Sequence, residues 1–135
     1  MHATVKWAEG LQFIGESGSG HPVVLDSPDN NKGISPMEML LLGVGGCSAF
    51  DVIMILEKTR QKMLDCRVKV DGERTEEPPR VFTKINMKFI VSGHALNEDQ
   101  VNRAIELSAT KYCGASTMME AAGSEVKRSC EIIQL

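Results

Sequence analysis

Ser35-Pro36-Met37-Glu38-Met39-Leu40-Leu41-Leu42-Gly43-Val44-Gly45-Gly46-Cys47-Ser48-Ala49-Phe50-Asp51 is the stretch that decides the fold. Ser35 can cap a helix, and Pro36 suits the first helical position, where a backbone N–H would have no partner anyway. Glu38 completes a capping box with Ser35. From Met37 to Leu56 the only charges are Glu38 and Asp51. The helix predicted here, running to about Gln61, is therefore apolar nearly all round and needs cover on more than one side. Lys58, Arg60 and Lys62 lie near its C-terminal end, where the helix dipole favours cations. Gly43, Gly45 and Gly46 each cost about 1 kcal/mol relative to Ala inside a helix. Gly43 and Gly46 leave a groove on one face that lets another backbone come close, and such packing offsets the loss. The segment is long enough for a membrane span. Asp51 well inside it and the three glycines argue instead for a helix buried in protein, and no membrane is expected.

Upstream, Thr4–Trp7 and Leu11–Ile14 flank Glu9-Gly10 and read as a hairpin. Gly15 to Gly20 reads as a turn cluster; it lacks the Gly-Lys-Ser/Thr ending of a phosphate loop and leads into extended chain over His21–Asp26. Asp26 to Gly33 is a polar loop. Downstream, Cys66 to Gly72 alternates at the strand period, with Cys66, Val68 and Val70 on one face. Glu76-Glu77-Pro78-Pro79 is a turn. Val81 to Val91 is a longer strand placing Val81, Ile85, Met87, Phe89 and Val91 on one face. Asn97 to Gln100 caps an amphipathic helix carrying Val101, Ala104, Ile105 and Ser108. A short helix over about Ser116 to Ala122 is closed by Gly123, and Val126, Arg128, Cys130 and Ile132 mark a last alternating strand. Three strands, a buried helix, two strands, two helices and a strand make an α+β fold with mostly antiparallel sheet.

A chain of 135 residues fits one domain, residues 1–135. Its 42% apolar and 24% charged residues are those of an ordinary globular protein. A net charge of −3 gives no electrostatic reason to expect nucleic acid as a partner. Met1 to Trp7 lacks the basic and apolar regions of a signal peptide, so a cytoplasmic location is expected, where thiols stay reduced. The four cysteines form no Cys-x-x-Cys pair, and His2, His21 and His94 are scattered. Neither a metal site nor a cofactor is expected on that spacing.

Cys47, Cys66, Cys113 and Cys130 are not equivalent. Cys66 and Cys130 merely occupy apolar slots in alternating strands. Cys47 lies mid-helix, where a free thiol is ordinarily inert packing, and Asp51 one turn on opposes its ionisation. Cys113 stands near the start of the short helix, where peptide dipoles favour a thiolate. Whether Cys47 and Cys113 meet decides what chemistry is open to the chain.

Ser35 to Leu42, then Gly43-Val44-Gly45-Gly46-Cys47, with Lys111-Tyr112-Cys113 later, resembles the OsmC/Ohr family of organic hydroperoxide reductases. The resemblance implies sheets wrapped around long central helices in an intertwined homodimer, with the sites at the subunit interface. It implies that Cys47 attacks a peroxide oxygen to give a sulfenic acid and that Cys113 resolves it as a disulfide. It implies as partners a small organic hydroperoxide or hydrophobic ligand and a dithiol or lipoylated-protein reductant, and it adds Glu38 to the catalytic candidates. Two positions depart from the peroxidase pattern. Met37 stands directly after the helix-start Pro where those proteins have Glu, and Glu38 follows one place later. No Arg precedes Arg60, so the Arg that pairs with the reactive thiolate is missing, and Lys6, His21 and Arg60 are the candidates to replace it. Two functions therefore stand side by side: a two-cysteine hydroperoxide reductase, and a non-catalytic dimeric binding or regulatory protein on the same fold.

Overall fold

A computed structural model describes residues 1–135, which fall into two compact units, Met1–Leu40 and Leu41–Leu135. In the first, β1 (Ala3–Glu9), β2 (Gln12–Ser17) and β3 (Pro22–Leu25) form an antiparallel sheet in that order. Gly10, at φ +53°, makes the first turn, and Trp7 Nε1 donates to its carbonyl at 2.8 Å. The predicted turn over Gly15 to Gly20 is shorter than expected. Gly15 and Glu16 pair with Val23 and Pro22, so β2 runs to Ser17 before the chain reverses. The loop after β3 is organised by buried Asp26, whose carboxylate accepts from Ser27 N–H at 2.7 Å, Asn30 Nδ2 at 2.7 Å and Lys32 N–H at 3.0 Å. Helix α1 (Pro36–Lys58) starts with the expected capping box. Glu38 N–H donates to Ser35 Oγ at 3.3 Å, and Ser35 N–H donates to Glu38 Oε1 at 3.0 Å.

In the second unit α1 stops short of Gln61. Arg60 takes φ +58°, its N–H donates to the Glu57 carbonyl at 3.0 Å, and Gln61 N–H donates to the Leu56 carbonyl at 2.9 Å. This left-handed cap satisfies carbonyls that the helix leaves open. Val44, Gly45, Ser48, Val52 and Leu56 form the buried face of α1. A Cβ on Gly45 would lie 2.7 Å from Val70 Cγ2, so the close approach within the chain falls here. A Cβ on Gly43 or Gly46 would meet nothing within 4 Å. The face bearing Leu42, Gly46, Phe50 and Met54 is exposed, so this chain covers only one side of the helix.

β4 (Lys62–Arg74) and β5 (Phe82–His94) are antiparallel, and β6 (Glu125–Gln134) pairs with β5 in parallel, giving the order β4-β5-β6. Ile85, Met87, Phe89 and Val91 are buried as the alternation predicts. Val81 is not: it precedes the strand and is exposed, and Phe82 is buried in its place, because the β4–β5 register shifts between Glu73 and Arg74. Helix α2 (Glu98–Leu107) is capped by Asn97, whose Oδ1 accepts from Gln100 N–H at 3.0 Å, and it buries Val101, Ala104 and Ile105. Between α2 and helix α3 (Gly114–Ala121) lies a single π turn, Ser108–Tyr112. The result is α+β, with three antiparallel strand pairs and one parallel pair.

Candidate dithiol site

Cys47 and Asp51 are one turn apart on α1, so their side chains lie one above the other on the same face. Cys113 reaches them from far along the chain. Its N–H donates to the Ser108 carbonyl at 2.8 Å, closing the π turn, a device frequent at functional sites. Helix α3 begins at Gly114, earlier than the predicted Ser116, which makes Cys113 itself the N-cap. Its Sγ accepts from Ser116 N–H at 3.4 Å. The two Sγ atoms and an Asp51 carboxylate oxygen all lie within 4.8 Å of one another.

Three serines that the sequence does not mark as functional complete the cluster. Ser48 Oγ lies 3.2 Å from Cys113 Sγ, both buried. Ser108 Oγ donates to Asp51 Oδ2 at 2.9 Å. Ser116, in the first turn of α3, is fully buried. The available signal was a small polar residue on each otherwise apolar face, since a buried hydroxyl needs a partner.

The two thiols titrate as a pair with opposite tendencies. Burial pushes Cys113 up, but the Ser116 and Ser48 side chains, the Ser116 N–H and the Cys47 thiol outweigh it and hold Cys113 below the ordinary thiol range. The Ala115 backbone N–H is the strongest single influence on Cys47 and favours its thiolate. Burial, Cys113 and the Asp51 carboxylate together outweigh that amide, so Cys47 is pushed up. Amides at the start of α3 thus supply the electropositive help for both sulfurs.

Glu38 is in the first turn of α1 with its carboxylate engaged by Ser35, which holds its pKa below the ordinary carboxylate range through the Ser35 N–H first. Cys66 and Cys130 sit in the outer strands, opposite Val91 and Phe89 of β5. Burial pushes both up, reinforced by neighbouring acids, and neither belongs to the cluster. A cavity of about 310 Å³ opens beside the cluster, with Asp51 in its wall together with Met54, Ile55, Leu107, Lys58 and Tyr112.

The sequence profile of the OsmC-like protein family matches residues 29–128. Protein YhfA of Escherichia coli K12 is 51% identical over 133 residues, which is 98% of each chain. Among solved structures, a hypothetical protein from Aquifex aeolicus is 28% identical with a TM-score of 0.90, over 99% of this chain and 96% of that one. An organic hydroperoxide resistance protein OsmC from Legionella pneumophila superposes with a TM-score of 0.70 over 96% and 95% of the two chains. At 15% identity that likeness is one of fold.

Proposed function

The chain belongs to the OsmC-like family, and from that premise we propose that it is a thiol-dependent organic hydroperoxide reductase in which Cys47 attacks and Cys113 resolves. The observation that carries this reading is the approach of the two Sγ atoms to within 4.8 Å beside a largely apolar cavity. A disulfide needs about 2 Å between sulfurs, within reach of modest side-chain rotation from that separation.

The attacking and resolving roles are those the family resemblance implies, and the lower-titrating Cys113 suits the further part of proton acceptor for Cys47. When one thiol of the pair ionises the negative charge falls on Cys113, where Ser116 and Ser48 stabilise it. Cys113 takes the Cys47 proton as the Cys47 sulfur attacks the terminal peroxide oxygen. The O–O bond breaks, Cys47 becomes a sulfenic acid, and the departing alkoxide takes the proton back from Cys113. The Cys113 thiolate then attacks Cys47 Sγ and expels hydroxide, which leaves a disulfide and an alcohol. A dithiol or lipoylated-protein reductant returns both thiols by exchange. Cys113 thus does as a proton shuttle what the missing Arg would do as a fixed charge. Glu38 contributes by anchoring the start of the helix that bears Cys47.

The working form in this reading is a cytoplasmic homodimer of single-domain chains. The exposed apolar face of α1, with Leu42, Phe50 and Met54 around an open Gly46, supports it as a seam for a second copy. Sedimentation should give about twice 14.8 kDa at micromolar concentration.

Peroxide consumption with cumene hydroperoxide and dithiothreitol tests the chemistry. Cys47→Ser should abolish it, and Cys113→Ser should give at most one slow turnover and then over-oxidised Cys47. Peptide mapping after one equivalent of peroxide should find Cys47 joined to Cys113, with Cys66 and Cys130 reduced. The rate should rise with pH as the pair first ionises, and that rise should centre below the ordinary thiol value of about 8.5. Wild-type protein inert from about pH 6 to 9 would favour the binding-protein reading over this one.

A further inference from the structure

We infer that Cys47, Cys113 and Asp51 also form a binding site for a thiophilic divalent cation, of which Zn²⁺ is the best chemical match. Three ligand atoms within 4.8 Å of one another surround a common centre. Tetrahedral zinc holds sulfur at about 2.3 Å and carboxylate oxygen at about 2.0–2.2 Å, so small side-chain rotations close the shell. The one-turn spacing of Cys47 and Asp51 supplies two ligands from one helix face, and the cap of α3 supplies the third. Two thiolates with one carboxylate select a soft or borderline cation over Mg²⁺ or Ca²⁺, which need shells of oxygen.

The surroundings are those a metal thiolate needs. Metal-bound sulfur keeps a negative charge and is stabilised by hydrogen-bond donors, and a ligating carboxylate is held by a partner of its own. Ser116 N–H and Ser48 Oγ serve Cys113 at 3.4 and 3.2 Å, and Ser108 Oγ holds Asp51 at 2.9 Å. Because Asp51 lines the cavity of about 310 Å³, a fourth position can open towards it for water or a small ligand. The chain supplies no Cys-x-x-Cys motif because its third ligand comes from a distant element, a set that spacing rules do not detect.

Binding forms two Zn–S bonds and releases to solvent whichever protons the two sulfurs still carry: the Cys47 proton, and the Cys113 proton where that thiol is not already ionised. Oxidation of the pair by diamide transfers two electrons and two protons to that reagent, makes the disulfide, and removes two of the three ligands. The reduced chain therefore holds the cation and the oxidised chain does not.

Equilibrium dialysis of reduced full-length protein against Zn²⁺, with metal counting, should give one ion per chain. Cd²⁺ in its place should show the ultraviolet thiolate charge-transfer band. Diamide-oxidised protein and the Cys47→Ser and Cys113→Ser variants should lose both signals. Asp51→Asn, nearly isosteric, should weaken binding about 10-fold or more, and Ser108→Ala about 10-fold. The Cys66→Ser/Cys130→Ser double variant should bind as the wild type does. No ion on the reduced wild type, undiminished binding after oxidation, or an unchanged affinity in Asp51→Asn would each overturn the site. These readouts use no peroxide. A chain that binds Zn²⁺ yet consumes no peroxide keeps this site and loses the reductase reading; the reverse result keeps the reductase reading and loses the site.

Discussion

The two three-stranded sheets have opposite economies of surface. In β4-β5-β6 the central strand buries Ile85, Met87, Phe89 and Val91 in an unbroken alternate row. In β1-β2-β3 every residue of β1 is exposed, and Val5, Trp7 and Leu11 present apolar surface to solvent. Both sheets alternate in sequence, yet only one has its apolar face filled by this chain. Alternation reports which residues share a face; it says nothing about what covers that face. The same division runs along α1, whose Val44, Ser48, Val52 and Leu56 side is packed while its Leu42, Phe50 and Met54 side is open.

Replacing a side chain in each region sharpens that contrast. Phe89→Ala, in the filled sheet, should cost about 3–5 kcal/mol, a large part of a stability of about 5–15 kcal/mol, and a urea melt would read it as a lower midpoint. A loss below about 1 kcal/mol would mean that the row is not the core. Phe50→Glu, on the open side of α1, should leave the secondary structure intact and move the sedimenting mass from about twice 14.8 kDa to that of one chain. An unchanged dimer would show that this face is not the seam.

The smallest effect is expected in the first unit. Burial pushes the Asp26 carboxyl up, and hydrogen bonds from Lys32, Ser27 and Asn30 outweigh it and hold it below the ordinary range. A depressed folded value stabilises the fold above the unfolded carboxyl value of about 3.9, and that contribution fades as pH falls through the folded value. Asp26→Asn should therefore lower stability near neutrality and remove this part of the acid dependence. A variant with the same acid profile as the wild type would refute that assignment.

Where local chemistry suffices, the elements could be read directly. The Ser35–Glu38 box starts α1, Asn97 caps α2 and Gly123, at φ +105°, ends the short helix, because caps and turns act over a few residues. Where a partner strand decides, reading fails by a residue or two. Phe82 replaces Val81 in the core through a register shift, and Gly15 joins β2 because Val23 pairs with it.

The sequence by itself determined an α+β chain with one long apolar helix, two capped helices downstream and two thiols in unlike contexts. Only the tertiary structure decided that those thiols meet, that Ser48 and Ser116 serve Cys113 while Ser108 holds Asp51, and that amides at the start of α3 act on both sulfurs. The reason is range. Periodicity and capping are written within one or two helical turns, whereas the meeting of Cys47 with Cys113 depends on a π turn and on how separate elements pack, which no local pattern encodes.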